Sequence, residues 1–175
     1  TALQFLTRSD YPLPQALAII LLYAHSVQAQ IDGGDRAVLQ PEACLVTAGQ
    51  HAGTGDMQSV FTFFAGLEIL TPEWKARLTQ MPVKIDWSDT LKALMVYMIR
   101  RYWLQAVSDY DLICRVKLSI VACLLVGGLG GDPIQTAQQF SKEIENDADN
   151  IESILDGAYT APALTDLNLL SLLLA

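Results

Sequence analysis

The side chains best suited to chemistry belong to two consecutive helices predicted in the second half of the chain. Tyr97 and Arg101 are four residues apart and therefore share one helix face, and Tyr102 follows directly. Asp111 and Arg115 belong to the next helix, which a short turn joins to the first. The two helices are thus expected to present opposite charges beside an apolar core.

A second polar group lies further along the chain. Glu143 and Glu145 flank Ile144, which is expected to point into the core. The two glutamates could pair with Arg101 or Arg115 across the bundle. Two interpretations stay open: a structural network of ion pairs, or a polar pocket that helps to orient a lysine substrate or a cofactor supplied by another domain. In the first interpretation, Tyr97 and Tyr102 are ordinary core aromatics.

Motifs for metal binding, phosphate binding and serine catalysis are missing from the sequence. Neither His25 nor His51 has a histidine or carboxylate three or four residues away, so no helical metal pair is expected. The glycines at 127–131 follow a helix and lack a lysine and a hydroxyl residue after them, which is typical of a helix end. A Gly-x-Ser-x-Gly elbow does not occur.

Composition restricts the class of protein and its partners. The chain has 175 residues, of which 51% are hydrophobic and 17% charged, and this predicts one folded domain over residues 1–175. The net charge of -8 disfavours nucleic acid and anionic membranes as partners. Cys44, Cys114 and Cys123 form no paired motif and are interpreted as buried thiols in a reducing compartment, which indicates a cytoplasmic protein.

Helical periodicity dominates the chain and no strand-like alternation stands out, so we expect an all-α fold, a bundle of about six to eight helices with mostly antiparallel neighbours. The apolar run at 118–129 is too short to span a membrane, which takes about 20 residues, and predicts a buried helix. A long core helix is expected over 88–107, with an apolar face formed by Leu91, Leu94, Met95, Met98, Tyr102 and Val107. Residues 132–157 are expected to form one amphipathic helix that ends at Gly157. Three other helix starts are predicted from capping residues, namely Asp56, Thr71 and Thr165. The weak pattern at 36–55 leaves that segment unplaced.

The order of several stretches resembles the C-terminal helical half of the flagellin lysine-N-methylase family. The similar stretches are 7–13 (Thr-Arg-Ser-Asp-Tyr-Pro-Leu), 94–102 (Leu-Met-Val-Tyr-Met-Ile-Arg-Arg-Tyr) with Ala106, Asp109, Asp111 and 115–117, and 141–145 (Ser-Lys-Glu-Ile-Glu) with Asn150 and Glu152. The family often has a histidine after the second glutamate, where this chain has Asn146. The resemblance implies that the chain is the C-terminal part of a longer protein.

Proteins of that family transfer methyl groups from S-adenosylmethionine to flagellin lysines, and a cysteine-rich N-terminal half is suited to an iron–sulfur cluster. The resemblance therefore implies both cofactors for the full-length protein and flagellin, or another protein substrate, as partner. Three dispersed cysteines cannot supply four thiolates, so no cofactor site is evident in this chain. The resemblance implies substrate placement for Tyr97, Tyr102, Glu143 and Glu145.

Three functions remain open at this point. The first is a helical portion of a lysine methyltransferase that contributes substrate placement, with Tyr97, Arg101, Tyr102, Asp111, Arg115, Glu143 and Glu145 as candidate substrate-binding residues. The second is a non-catalytic helical module that docks another protein. The third is a helical regulator with a dry pocket lined by Phe61, Phe64, Met95 and Met98.

Overall fold

The most apolar stretch of the chain forms the central helix. The computed structural model describes residues 2–35 and 38–175. In it, Ile113–Leu129 is one α-helix that is buried along almost its whole length, as expected for a helix that is apolar on every face. It packs against helices from both halves of the chain, so it organises the core.

The other helices surround this central one. Numbered along the chain, the α-helices are α1 (Ala2–Arg8), α2 (Leu13–Ile31), α3 (Pro41–His51), α4 (Met57–Ala65), α5 (Pro72–Leu78), α6 (Asp89–Tyr102), α7 (Ala106–Asp109), α8 (Ile113–Leu129), α9 (Pro133–Phe140), α10 (Ala148–Thr160) and α11 (Asp166–Leu173). The described residues contain no strand, which confirms the all-α prediction. The helices are more numerous than expected because several are only two turns long.

Side-chain caps fix many of the helix starts. Asp56 accepts a hydrogen bond from the Ser59 amide at the start of α4. Thr71, Asp132 and Thr165 cap α5, α9 and α11 in the same way. Each cap satisfies an amide that the helix itself leaves without an acceptor. The structure therefore confirms four helix starts that follow from local sequence.

One hydrophobic core joins these helices. Phe61, Phe64, Met95 and Met98 are all buried in it, between α4, α6 and α8. They pack as ordinary core residues. Within residues 2–35 and 38–175, no helix has the length and apolar character needed to cross a bilayer.

The segment that the sequence left unplaced, 36–55, contains α3, which packs against α2 and α11. Residues 36 and 37 lie outside the described part of the chain. Cys44, on α3, is only partly buried, so the expectation of three buried thiols is wrong for this one. The reason is that α3 buries few of its side chains.

The expected single helix over 132–157 is wrong. α9 continues into a π-helical turn at Ser141–Glu145, and the chain then breaks before α10. The break follows from Asp147, whose carboxylate accepts from the Asp149 and Asn150 amides and starts a new helix. Gly157 does not end α10, which runs on to Thr160. Its lack of a side chain serves packing, since a Cβ at 157 would lie 2.7 Å from the Phe63 ring.

The long helix expected from 88 to 107 is also shorter. α6 ends at Tyr102, and a 3-10 turn at Trp103–Gln105 leads into α7. The Trp103 indole donates to the Ser119 hydroxyl of α8 at 2.9 Å, and this bond holds the tightened turn against the core. The end of α6 is thus placed close to α8.

Candidate functional site

A buried carboxylate on the π-helical turn collects donors from α6. Glu145 Oε1 accepts hydrogen bonds from the Tyr102 hydroxyl at 2.8 Å and the Tyr97 hydroxyl at 3.1 Å. Arg101 Nε lies 3.3 Å from the same oxygen, and the Glu145 side chain is only 1% exposed. A buried carboxylate needs such donors to offset its lost hydration.

The cluster is assembled from side chains of α6 and of the π-helical turn at 141–145. On α6, Tyr102 lies on the buried face, whereas Tyr97 and Arg101 lie toward solvent. In the π-helical turn at 141–145, the consecutive residues Glu143, Ile144 and Glu145 are all buried, and the two glutamates bond different neighbours. Glu145 is the last residue of the π-helical turn at 141–145, and its carboxylate lies where Tyr97, Arg101 and Tyr102 of α6 reach it.

Burial and charge keep both tyrosines in the protonated form. Burial raises the pKa of Tyr97 and Tyr102, and the Glu145 carboxylate raises each pKa further. The hydrogen bond from Arg101 to the Tyr102 hydroxyl acts against this rise but does not cancel it. Both hydroxyls therefore act as donors near neutral pH and are unsuited to removing a proton from a substrate.

Next to this cluster lies an open groove of about 880 Å³. We call it the α6 groove; its lining residues are Thr7 of α1 and Asp89, Lys92, Ala93, Val96, Tyr97, Arg100 and Arg101 of α6. The α6 residues recur every three or four positions, so they form one stripe along the helix. The stripe spans three turns, or about 18 Å.

The α6 groove has an apolar floor and a cationic rim. Ala93, Val96 and the Tyr97 ring supply the apolar surface, and Tyr97 is 41% exposed. The charged lining residues are three cations, Lys92, Arg100 and Arg101, and one carboxylate, Asp89. This local excess of positive charge stands on a chain whose net charge is -8. Lys92 and Arg100 have no ion pair elsewhere in the described part of the chain.

Glu143, a candidate from the sequence, takes part in a different network. Its carboxylate accepts from the Leu70 amide at 2.8 Å, the Thr71 amide at 3.2 Å and the Thr71 hydroxyl at 2.5 Å. Asn150 bonds both the Glu143 carbonyl and the backbone of Glu68. Glu143 therefore holds the loop between α4 and α5 and lies away from the α6 groove lining.

Asp111 and Arg115 are separate again, at the turn between α7 and α8. Arg115 pairs with Asp109 at 2.5 Å and donates to the Asp111 carbonyl at 2.7 Å. The Asp111 carboxylate accepts from the Tyr159 hydroxyl at 2.6 Å. Of the two cross-bundle pairings open from the sequence, Glu145 pairs with Arg101, and neither glutamate pairs with Arg115, which bonds Asp109 and Asp111 in the turn next to it.

Sequence reasoning missed an ionic cluster that joins three distant helices. Asp166, at the start of α11, lies 2.9 Å from Lys117 Nζ of α8 and 2.9 Å from His25 Nε2 of α2. Burial alone would raise the pKa of Asp166, but His25 and Lys117 outweigh it and lower that pKa to about 2. Lys117 is buried and also donates to the Ala158 carbonyl at 2.8 Å. The three positions are too far apart in sequence for any spacing rule to find them.

The sequence also missed most of the α6 groove. The signal was present, because positions 89, 92, 93, 96, 97, 100 and 101 lie on the side of α6 opposite its buried stripe. Such a complement is usually just a solvated face, so only the structure distinguishes it as a groove.

Nucleophile and metal chemistry find little support among the side chains. Burial raises the pKa of the Cys114 thiol to about 12, and burial also raises that of Cys123 to about 12. Both thiols therefore stay protonated and weakly reactive. Across residues 2–35 and 38–175, no cluster of three or more histidine, cysteine or acidic side chains has a geometry that could hold a metal ion.

The α6 groove and the Tyr97, Tyr102 and Glu145 cluster behind it thus form the candidate site. Comparison of the chain with protein-family models, with curated proteins and with solved structures finds no match in any of the three. The interpretation of the site accordingly depends on its own geometry and charge.

Proposed function

We propose that this chain is a helical protein-interaction module that docks an acidic segment of a partner protein in the α6 groove. The observation that carries the proposal is the cationic rim of Lys92, Arg100 and Arg101 around an apolar floor. A partner segment with aspartates or glutamates beside an apolar side chain complements both features. The groove's length of about three helical turns suits a short amphipathic helix.

The charge of the groove argues against a lysine as its ligand. Three cations line it, and the only carboxylate in the lining, Asp89, lies at the far end of the stripe from Arg101. Glu145 lies behind the rim, where its carboxylate already pairs with Arg101 and accepts hydrogen bonds from the hydroxyls of Tyr97 and Tyr102. A lysine ammonium placed there would meet repulsion on one side and an occupied carboxylate on the other. An acidic segment avoids both costs.

Binding of a designed peptide tests this function. The probe is a fluorescent peptide of about twelve residues with leucines one helical turn apart and glutamates around them, matched to the stripe length. We expect saturable binding by fluorescence anisotropy, weakened as salt is raised. The variant K92Q/R100Q should bind about three- to tenfold more weakly, since it loses two positive charges of the rim.

Two controls make this test specific. A peptide with lysine in place of each glutamate should not bind, and the variant K75Q, which removes a cation from α5 and not from the α6 groove, should bind like the wild type. Equal binding of both peptides, or a wild-type affinity in K92Q/R100Q, would contradict docking in the α6 groove.

A second candidate is the helical portion of a lysine methyltransferase, with S-adenosylmethionine as methyl donor and flagellin as substrate. The observation that favours it is the meeting of Tyr97, Tyr102 and Glu145, since aromatic and acidic walls suit a lysine side chain. Calorimetric titration with S-adenosylmethionine, alone and with flagellin, tests it. Heat on adding S-adenosylmethionine would support this candidate, and binding to neither ligand would count against it.

A further inference from the structure

Arg101 differs from the other cations of the α6 groove because its inner end is fixed. Its Nε donates to the Tyr102 hydroxyl at 3.2 Å and lies 3.3 Å from Glu145 Oε1. Its guanidinium carbon also lies 5.5 Å from the centre of the Tyr102 ring. Tyr102 and Glu145 are themselves buried, so these contacts hold the guanidinium against a rigid support.

The outer end of Arg101 is unoccupied. Its two terminal nitrogens have no hydrogen-bond partner among residues 2–35 and 38–175, and the side chain remains 48% exposed while lining the α6 groove. These nitrogens carry four of the five N–H donors of the guanidinium, in one plane. The groove therefore contains a fork of donors whose orientation is set before any ligand arrives.

We propose that Arg101 is the specificity-determining residue of the α6 groove and binds one carboxylate through both terminal nitrogens. This proposal rests on the proposed docking function and deepens it by naming the ligand group. A carboxylate has two oxygens at the spacing of the two terminal nitrogens, so it forms two parallel hydrogen bonds. Because Tyr102 and Glu145 have already ordered the side chain, little rotamer entropy is lost when a ligand binds.

The three cations of the α6 groove have different roles in binding. Glu145 neutralises much of the charge of Arg101, so long-range attraction comes mainly from Lys92 and Arg100. Neither of these two has a hydrogen bond that holds it in one position in the described part of the chain. They attract an acidic segment, whereas Arg101 recognises the planar shape of one of its carboxylates.

Paired arginine-to-lysine changes test this assignment, because they keep the charge and remove the fork. In R101K the Nε contacts that orient the fork are removed with it. With the acidic peptide, R101K should bind roughly tenfold more weakly than the wild type, which corresponds to losing one charge-assisted hydrogen bond. R100K, the matched control on the same groove, should bind within about twofold of the wild type. Thermal unfolding of both variants shows whether each remains folded.

A second measurement identifies the source of the carboxylate. The NMR signals of the Arg101 side-chain Nε–H are followed during titration with the acidic peptide and, separately, with glutarate as a free small carboxylate. We expect the peptide to shift these signals at far lower concentration than glutarate, since only the peptide also contacts the apolar floor.

The outcomes separate the two proposals. Peptide binding that is equal in R101K and the wild type, or weakened as much in R100K, would overturn the role of Arg101 and leave docking in the groove intact. If glutarate binds as tightly as the peptide, Arg101 belongs to a small-anion site, and docking of a segment is wrong. If the wild type binds neither probe and the Arg101 signals stay fixed, both proposals fall.

Discussion

Replacing Glu143 with alanine is expected to lower the free energy of unfolding by about 3 kcal/mol. The carboxylate is buried and accepts three hydrogen bonds, from the Leu70 amide and from the amide and hydroxyl of Thr71. Its loss leaves two backbone amides without an acceptor at the start of α5. Urea unfolding followed by circular dichroism measures the change.

Two further substitutions make this result specific. Glu143→Gln keeps one acceptor oxygen but turns an amide group toward a donor, so we expect roughly half of the loss. Glu152→Ala removes an exposed glutamate on α10 and should change the free energy by less than about 0.5 kcal/mol. A loss in Glu143→Ala no larger than in Glu152→Ala would show that the Glu143 network does not hold the loop.

The second large effect concerns the ionic cluster of Asp166. At neutral pH, Asp166→Asn should lower the free energy of unfolding by about 2 kcal/mol, because the buried Lys117 loses the carboxylate with which it pairs. Asp166 is itself 38% exposed, so water screens part of the interaction and the effect stays below that of a fully buried pair. The matched control is Asp156→Asn, an exposed position on α10.

The same variant has a defined pH dependence. The pKa of Asp166 is about 2 in the folded chain, against an ordinary value of 3.8, so the folded state holds the ionised form more tightly. This stabilisation is present above about pH 4 and disappears as the pH falls toward 2. The difference between wild type and Asp166→Asn should therefore shrink over that interval. A difference that stays constant down to pH 2 would contradict the ionic role of Asp166.

Features that depend on local sequence could be predicted. The central helix α8 follows from a run of apolar residues bounded by glycines, and the caps at Asp56, Thr71 and Thr165 follow from residue type and position alone. Helical spacing also identified the buried face of α6. These signals act within one or two turns, so no knowledge of the partner helices was needed.

Features that depend on contacts between distant residues could not be predicted. The π-helical turn at 141–145 places Glu143 against the α4–α5 loop and Glu145 against α6, and neither neighbour is evident from local sequence. The sequence left open whether the glutamates pair with Arg101 or Arg115, and the structure decides this because Asp109 pairs with Arg115 within the same turn. Spacing along a helix shows which side chains share a face, but it does not show which helix lies opposite.

The candidate site illustrates the same limit. Tyr97, Arg101 and Tyr102 were identified from their residue types, and the structure brings them to Glu145. Asp111, Arg115 and Glu143 were grouped with them in sequence, yet each serves a different local network. The groove beside the cluster was missed because its charged residues look like an ordinary solvated helix face.

The central claim is that the outward stripe of α6 is a docking surface for an acidic segment. The most direct test is a two-dimensional ¹H–¹⁵N NMR titration of the wild-type chain with the acidic peptide. The account predicts that the perturbed amides lie within residues 89–101 and near Thr7, while the Asp166 cluster on α11 stays unchanged. Perturbations centred on other helices, with residues 89–101 unaffected, would contradict it.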